Sequence, residues 1–137
     1  MSTQTPEQKR AKHALEQINA LKNSGESSKY VTYVKALPAA ILTNGLGQAL
    51  ATECAASKND QAHLKLAEHV AKWLLNKDAN TKYQPPAVVG EDTKFAQHLL
   101  MQIVEGGQDA YVRAQAEAMA YVTWLKKFAV AFLQEKS

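Results

Sequence analysis

The chain has 137 residues, of which 46% are hydrophobic and 21% are charged, and its formal net charge at pH 7 is +3. This balance is typical of a globular protein and excludes disordered and fibrous classes. No apolar run reaches the roughly 20 residues that a transmembrane helix needs, and the N-terminus is too polar for a secretory signal. We therefore expect one cytoplasmic domain over residues 1–137 that does not contact a membrane.

The first predicted helix has a well-marked N-terminus. Thr5 is a good capping residue, Pro6 suits the first helical position, and Gln8 completes a capping box. Apolar residues then recur at helical spacing along one face. The segment Asn23-Ser24-Gly25 indicates the end of this helix.

A proline divides the next helical segment. Ser27 or Ser28 is expected to cap a second helix. The residue before a proline is disfavoured in the α conformation, so this helix should end or kink at Leu37. Pro38 suits the first turn of a third helix, whose apolar residues continue as far as Leu50.

Two glycines interrupt the third predicted helix, in the run Asn44-Gly45-Leu46-Gly47-Gln48. A glycine in a helix interior costs about 1 kcal/mol relative to alanine, so such a pair often marks a close backbone approach or a functional site. Two interpretations stay open: a helix–helix crossing inside the core, or a surface that docks a partner chain or a nucleic-acid backbone. A β-hairpin is rejected because the flanking residues do not alternate.

The fourth predicted helix begins at Asn59 or Asp60, and its core stripe ends near Leu74. The residues that follow, Asn76–Asp92, contain the pair Pro85-Pro86 and little periodicity. This composition predicts a long surface loop.

Two helices complete the chain. The fifth carries Phe95 and Ile103 and should end at Gly106-Gly107. The last is predicted from about Asp109 to near Gln134, and at 1.5 Å per residue its length would be roughly 40 Å. Since no segment alternates as strands do, we expect an all-α bundle of about six helices with a long C-terminal member.

The sequence contains no recognisable catalytic or metal-binding pattern. Of its four histidines, His63 and His69 are six residues apart on one predicted helix, and neither has a carboxylate or cysteine at metal-ligand spacing. The segment Gly45-Leu46-Gly47 has neither the preceding strand nor the following lysine of a phosphate-binding loop. We therefore expect no enzymatic activity, no cofactor and no metal. A small helical enzyme would require a pocket lined by convergent polar groups.

The positive charge is concentrated in the first part of the chain. Residues 1–58 contain seven basic and four acidic residues, whereas residues 59–137 contain nine of each. No acid lies between Glu26 and Glu53, so a surface there could accept a phosphate without repulsion. Lys126 and Lys127 lie between aromatic residues, as in proteins that bind single-stranded nucleic acid, although solvated helix faces are the alternative.

Three segments together resemble the small subunit of the type III-B CRISPR effector, the Cmr complex. They are QKRAKHALE (8–16), YVKALPAAILTNGLGQALA (33–51) and YVRAQAEAMAYVTWLKKFAVA (111–131), in the expected order. The segments depart from the family pattern at Gln115, where threonine is common, and at Met119, where leucine is common.

This resemblance implies a non-catalytic subunit that stacks head-to-tail with copies of itself, beside the backbone subunits and the large polymerase-like subunit. Such subunits help form the groove in which guide RNA and target RNA pair, while the backbone subunits cut RNA. The expected phosphate contacts are basic residues: Lys9, Arg10, Lys12, Lys35, Arg113, Lys126 and Lys127. The expected subunit or groove contacts are Asn44, Gly45, Gly47 and Gln48. The alternative function is a helical protein–protein adaptor of another prokaryotic assembly, without RNA.

Overall fold

The computed structural model describes residues 3–133 and confirms the all-α prediction, with six α-helices and no strand in that range. The α-helices are α1 (Pro6–Leu21), α2 (Ser27–Asn44), α3 (Leu46–Ala56), α4 (Gln61–Leu74), α5 (Phe95–Glu105) and α6 (Gln108–Phe132). A short 3-10 helix, Lys77–Ala79, lies at the start of the long segment between α4 and α5. The predicted end of the last helix near Gln134 lies outside the described residues. None of the described helices is long and apolar enough to cross a membrane.

The predicted N-termini of α1 and α4 are confirmed. Thr5 and Gln8 form the predicted capping box: Thr5 Oγ1 accepts from the Gln8 amide at 3.1 Å, and Gln8 Oε1 accepts from the Thr5 amide at 2.8 Å. Asp60 caps α4 by accepting a hydrogen bond from the amide of Ala62 at 3.0 Å. These interactions span only two or three residues, which is why the sequence alone predicts them.

The predicted boundary between the second and third helices is wrong. α2 continues through Pro38, and the chain breaks at Gly45, where φ is +88° and ψ is 158°. Leu37 and Ile41, on either side of the proline, are buried in the core. This packing outweighs the local preference of the residue before a proline, as tertiary contacts commonly override local propensity.

Some helices depend on caps from elsewhere in the fold. The prediction that Ser27 or Ser28 caps α2 is wrong, because the N-cap residue is Glu26 and its side chain makes no capping hydrogen bond. α5 also lacks a side-chain cap of its own. Instead, Glu68 of α4 accepts a hydrogen bond from the Phe95 amide at 2.9 Å, which fastens the start of α5 to α4.

α6 is the central element of the packing, because it contacts α1, α2 and α4. Arg10 contacts Glu117 and His13 contacts Tyr121, so α1 and α6 run side by side in the same direction. The predicted core stripe of α6 is buried as far as Leu125, but Phe132 is 49% exposed. The far end of α6 therefore leaves the core and presents an aromatic ring at the surface.

Candidate subunit and RNA interface

The two glycines lie where α6 crosses the junction of α2 and α3. The Tyr111 hydroxyl accepts a hydrogen bond from the Gly47 amide at 2.9 Å, and Gln115 Oε1 accepts one from the Leu46 amide at 2.9 Å. A Cβ on Gly45 would lie 3.1 Å from the Tyr111 hydroxyl, and one on Gly47 would lie 3.5 Å from it. The side chains of α6 thus cap α3, whose own N-cap residue has no side chain.

This geometry gives the glycines an intramolecular purpose, the first of the two interpretations left open by the sequence. Gly45 and Gly47 are half-buried against α6, whereas Asn44 and Gln48 are exposed. The role of these four residues in binding a neighbour stays a prediction, and the exposed pair is best placed for it. Gln115, the departure from the family pattern, supplies one of the two hydrogen bonds.

Arg10 differs from the other predicted phosphate contacts because it is engaged inside the bundle. Its guanidinium forms two hydrogen bonds with Glu117, the longer at 2.9 Å, and its side chain is only 19% exposed. The indole N–H of Trp73 donates to the same carboxylate at 2.8 Å. An RNA phosphate would have to compete with Glu117 for Arg10. The two parallel hydrogen bonds between Arg10 and Glu117 make this ion pair stronger than an ion pair with a single hydrogen bond.

Lys9 and Arg113 lie at the same end of the bundle, because both reach the region of the 3-10 helix. Lys9 Nζ is 3.9 Å from Asp78 Oδ1, and Arg113 Nη1 donates to the carbonyl of Asn80 at 3.1 Å. Lys12 is exposed about one turn further along α1. The fold thus brings Arg113, which is about 100 residues away in the sequence, to the end of the bundle that carries Lys9 and Lys12.

Lys126 and Lys127 belong to a different part of the surface. They are exposed, and they lie about 20 Å beyond Arg113 along α6. The neighbouring rings of Trp124 and Phe128 are half-buried and stacked, with centroids 5.3 Å apart. Lys35 is exposed on α2. The predicted cations therefore form separate groups rather than one patch.

The histidines form pairs within the bundle. Burial lowers the pKa of His69 to about 3, and His69 Nδ1 lies 2.8 Å from the Tyr30 hydroxyl. The ring of His63 stacks on Tyr33 with centroids 3.6 Å apart, and its Nδ1 lies 3.0 Å from Glu53 Oε1. Within residues 3–133, no group of three or more histidine, cysteine or acidic side chains is placed to hold a metal.

The Tyr33 hydroxyl is held by a carboxylate. It donates to Asp60, and this hydrogen bond, aided by burial, raises the pKa of Tyr33 to about 12. The same Asp60 caps α4, so the pair links α2 to the start of α4. The hydroxyl therefore remains a hydrogen-bond donor even in mildly alkaline solution and fastens two helices together.

A groove of about 1400 Å³ runs between α4 and α5 and along residues 89–94. It is lined by apolar side chains such as Leu64, Leu100 and Val104, together with charged residues of both signs. Cys54 lies in its wall, where burial raises the pKa of the thiol.

Comparison with known proteins identifies the family. The family model described as "CRISPR-associated protein (Cas_Cmr5)" matches residues 6–132. The chain belongs to the Cmr5 family. The crystal structure of a CRISPR-associated Cmr5 family protein from Thermus thermophilus has the same fold, with a TM-score of 0.72 at 22% sequence identity. That match covers 96% of this chain and 100% of the other.

Membership in the Cmr5 family confirms the resemblance to the small subunit of the type III-B Cmr complex. A Cmr5-family chain is a CRISPR effector subunit, and this membership implies partner subunits. The assignment of individual residues to RNA or to a neighbouring subunit stays a set of predictions.

The sequence did not predict which side chains of α6 hold the neighbouring helices in place. Glu117 binds both Arg10 and Trp73, and Tyr111 and Gln115 cap α3, yet each partner is 44 to 107 residues away in the chain. The only available signal was that Tyr111 and Gln115 are four residues apart and so lie on one face of α6, with Glu117 nearby in the same helix. That spacing indicates a shared helix and does not identify the partners of these side chains.

Proposed function

We propose that this chain is a non-catalytic structural subunit of a cytoplasmic type III-B CRISPR ribonucleoprotein that acts in antiviral defence. It stacks with copies of itself beside the backbone subunits and the large polymerase-like subunit, and it contacts the backbone of the guide–target RNA duplex. Family membership supports the assembly, and the distribution of surface charge supports the contact with RNA.

The observation that carries the RNA contact is the exposure of the predicted cations. Six of the seven are exposed or half-exposed, whereas Arg10 is held within the bundle by Glu117. Lys12, Lys35 and Arg113 are exposed and are the strongest candidates for phosphate contacts. Lys126 and Lys127 are equally exposed, but they adjoin exposed Val130 and Phe132, a setting that suits protein as well as phosphate.

The strength of this contact suits a subunit that acts in several copies. A chain that neutralises about three phosphates has a salt slope of only about −2 on single strands, so one copy alone binds RNA weakly. Several copies along one duplex act at high effective concentration and bind it far more tightly. Contacts to the RNA backbone also carry no sequence preference, which suits a complex whose specificity comes from guide pairing.

A structural role also agrees with the use of the polar side chains. Two histidines that could act as general bases are paired internally: His69 with Tyr30, and His63 with Glu53. A general base must reach the proton that it removes from a substrate, and a buried histidine whose pKa is about 3 is poorly suited to that task.

The test is a series of charge reversals in the assembled effector: Lys12→Glu, Lys35→Glu and Arg113→Glu. Each should weaken capture of target RNA and reduce the salt slope by about 0.7, since each removes one phosphate contact. Lys58→Glu is the matched control, because Lys58 is exposed and lies outside the predicted set. Unchanged capture for all three variants, in complexes that still assemble, would remove the RNA contact from the proposal.

Exposed apolar side chains favour the alternative function, a protein–protein adaptor without RNA. Leu42 is 71% exposed and Val104 is 79% exposed, and such residues commonly lie in protein interfaces. An adaptor would assemble after complete nuclease digestion and would never co-purify with short guide RNAs.

A further inference from the structure

An adjacent acidic pair stands at the rim of the groove between α4 and α5. Glu91 and Asp92 are the only two consecutive acidic residues in the sequence. Both are exposed, and neither has an ion-pair or hydrogen-bond partner within residues 3–133. The same groove is lined by side chains that are strongly exposed and apolar: Val89 (61%), Met101 (55%) and Val104 (79%). We call these five residues the acidic rim.

A basic pair with a similar apolar setting lies at the far end of α6. Lys126 and Lys127 are consecutive and exposed, and neither has a counter-charge in the described part of the chain. They are followed by Val130, 53% exposed, and Phe132, 49% exposed. We call these four residues the α6 end. The Lys22 ammonium lies 5.3 Å from the centre of the Phe132 ring and adds a further positive charge there.

The chain has a second pair of consecutive basic residues, Lys9 and Arg10 in α1, but both already have acidic partners. Lys9 lies beside Asp78, and Arg10 is bound by Glu117. Lys126 and Lys127 are therefore the adjacent cations for which the described part of the fold supplies no acid. Both pairs, Lys126-Lys127 and Glu91-Asp92, therefore lie next to exposed apolar side chains.

These two surfaces do not meet within one molecule. No residue of the α6 end lines the groove, and within residues 3–133 no ion pair joins Lys126 or Lys127 to Glu91 or Asp92. A second copy can supply each surface with the partner that it lacks. Because the two surfaces differ, their pairing is heterologous and leaves one of each exposed for further copies.

We propose that successive copies join by placing the α6 end of one copy against the acidic rim of the next. Phe132 and Val130 cover the apolar groove residues, while Lys126 and Lys127 face Glu91 and Asp92. This inference rests on the stacking part of the proposed function and names the two surfaces that stack. It also gives two of the predicted phosphate contacts a carboxylate partner instead.

The electrostatic attraction for the lysines of a second copy comes from Glu91 and Asp92 and not from the groove lining as a whole. The groove wall also contains lysines, and Lys72 there lies 5.3 Å from the centre of the Phe95 ring. Glu68, the acid deeper in the wall, already caps α5. The lining has no net charge, because it contains three lysines (Lys65, Lys72 and Lys94) and three acids (Glu68, Glu91 and Asp92). Only Glu91 and Asp92 concentrate negative charge at one point.

The test is a charge swap in the purified full-length protein and in the assembled effector. The doubly reversed variants Lys126→Glu/Lys127→Glu and Glu91→Lys/Asp92→Lys should each weaken self-association about tenfold, since two exposed ion pairs are lost and become repulsive. A chain that carries all four changes should recover wild-type association. Lys77→Glu/Lys82→Glu, which reverses two exposed lysines elsewhere, should have no effect.

Two readouts keep this inference separate from the function proposed above. Sedimentation at low and high salt measures association of the free chain, and native mass spectrometry counts copies in the effector. Several copies in the wild-type effector, without recovery in the fourfold variant, would overturn the surfaces named here and leave stacking intact. A wild-type effector that contains a single copy would overturn both proposals. Loss of RNA capture without loss of copies in the lysine variant would overturn this pairing and assign Lys126 and Lys127 to RNA.

Discussion

Replacing Gly45 by alanine should destabilise the protein far more than the same change at Gly47. Gly45 has φ +88° and ψ 158°, a region of backbone conformation that is essentially confined to glycine. Gly47 has no positive φ, although it lies only two residues away in the first turn of α3. The two positions share the same neighbour, Tyr111, so they form a matched pair.

The expected cost at Gly45 has two parts. A side chain in this backbone region costs about 1–3 kcal/mol. The new Cβ would also lie 3.1 Å from the Tyr111 hydroxyl, which must shift and weaken its hydrogen bond to the Gly47 amide, worth about 1 kcal/mol. At Gly47 the nearest atom is 3.5 Å away, an ordinary contact, and alanine is the better helix former by up to ~1 kcal/mol.

Urea unfolding of the two variants decides the matter. Gly45→Ala should lower the free energy of unfolding by about 2–4 kcal/mol, with a fall in Tm on the order of 10 °C. Gly47→Ala should stay within about 1 kcal/mol of the wild type. Equal losses, or a larger loss at Gly47, would refute the view that backbone conformation and the crossing of α6 determine this junction.

Three further predictions concern the polar contacts between helices. Glu117→Ala leaves Arg10 charged and without its partner inside the bundle, so it should lower the free energy of unfolding in urea by about 3 kcal/mol. A loss below about 1 kcal/mol would contradict the importance of this ion pair. Burial lowers the pKa of His69 to about 3, so the unfolded chain takes up the proton first, and the free energy of unfolding should fall by about 1 kcal/mol per pH unit from pH 6.5 towards pH 3. His69→Gln should flatten that dependence between pH 7 and 5, and an unchanged slope would show that other groups cause it. Glu68→Ala should speed amide hydrogen exchange in the first turn of α5 about fivefold and leave α1 unchanged, because it removes a cap worth about 1 kcal/mol. Uniform protection of α5 would contradict the cap.

The parts of the fold that the sequence predicts are those fixed by neighbouring residues. The capping box at Thr5 and the cap at Asp60 depend on contacts within three residues, and both are confirmed. The stripe of α6 predicts its buried face as far as Leu125, because helical spacing alone decides which side chains align. The fate of Phe132 depends on where the neighbouring helices end, which no local pattern records.

The parts that the sequence did not predict depend on distant contacts. Pro38 has a strong local preference, but the burial of Leu37 and Ile41 keeps α2 continuous through it. Arg10 and Lys12 look equivalent in the sequence, and only the fold shows that Arg10 has a carboxylate partner 107 residues away.

The acidic pair beside the groove is visible in the sequence, but its surroundings are not. Glu91 and Asp92 are consecutive residues at the end of the predicted surface loop Asn76–Asp92. Their significance depends on standing beside an apolar groove, and that groove is formed by residues from α4 and α5. Adjacent charges in a loop are ordinarily just solvated, so the sequence alone gave no reason to select them.

The central claim, that this subunit acts by contact and not by chemistry, is tested most directly by separating RNA affinity from RNA cutting. An effector assembled with Lys12→Glu/Lys35→Glu/Arg113→Glu would be compared with the wild type over a range of target-RNA concentrations. We predict weaker target-RNA binding with a salt slope reduced by about 2, and a wild-type cutting rate once the RNA is saturating. Unchanged affinity combined with a lost cutting rate at saturation would contradict the account.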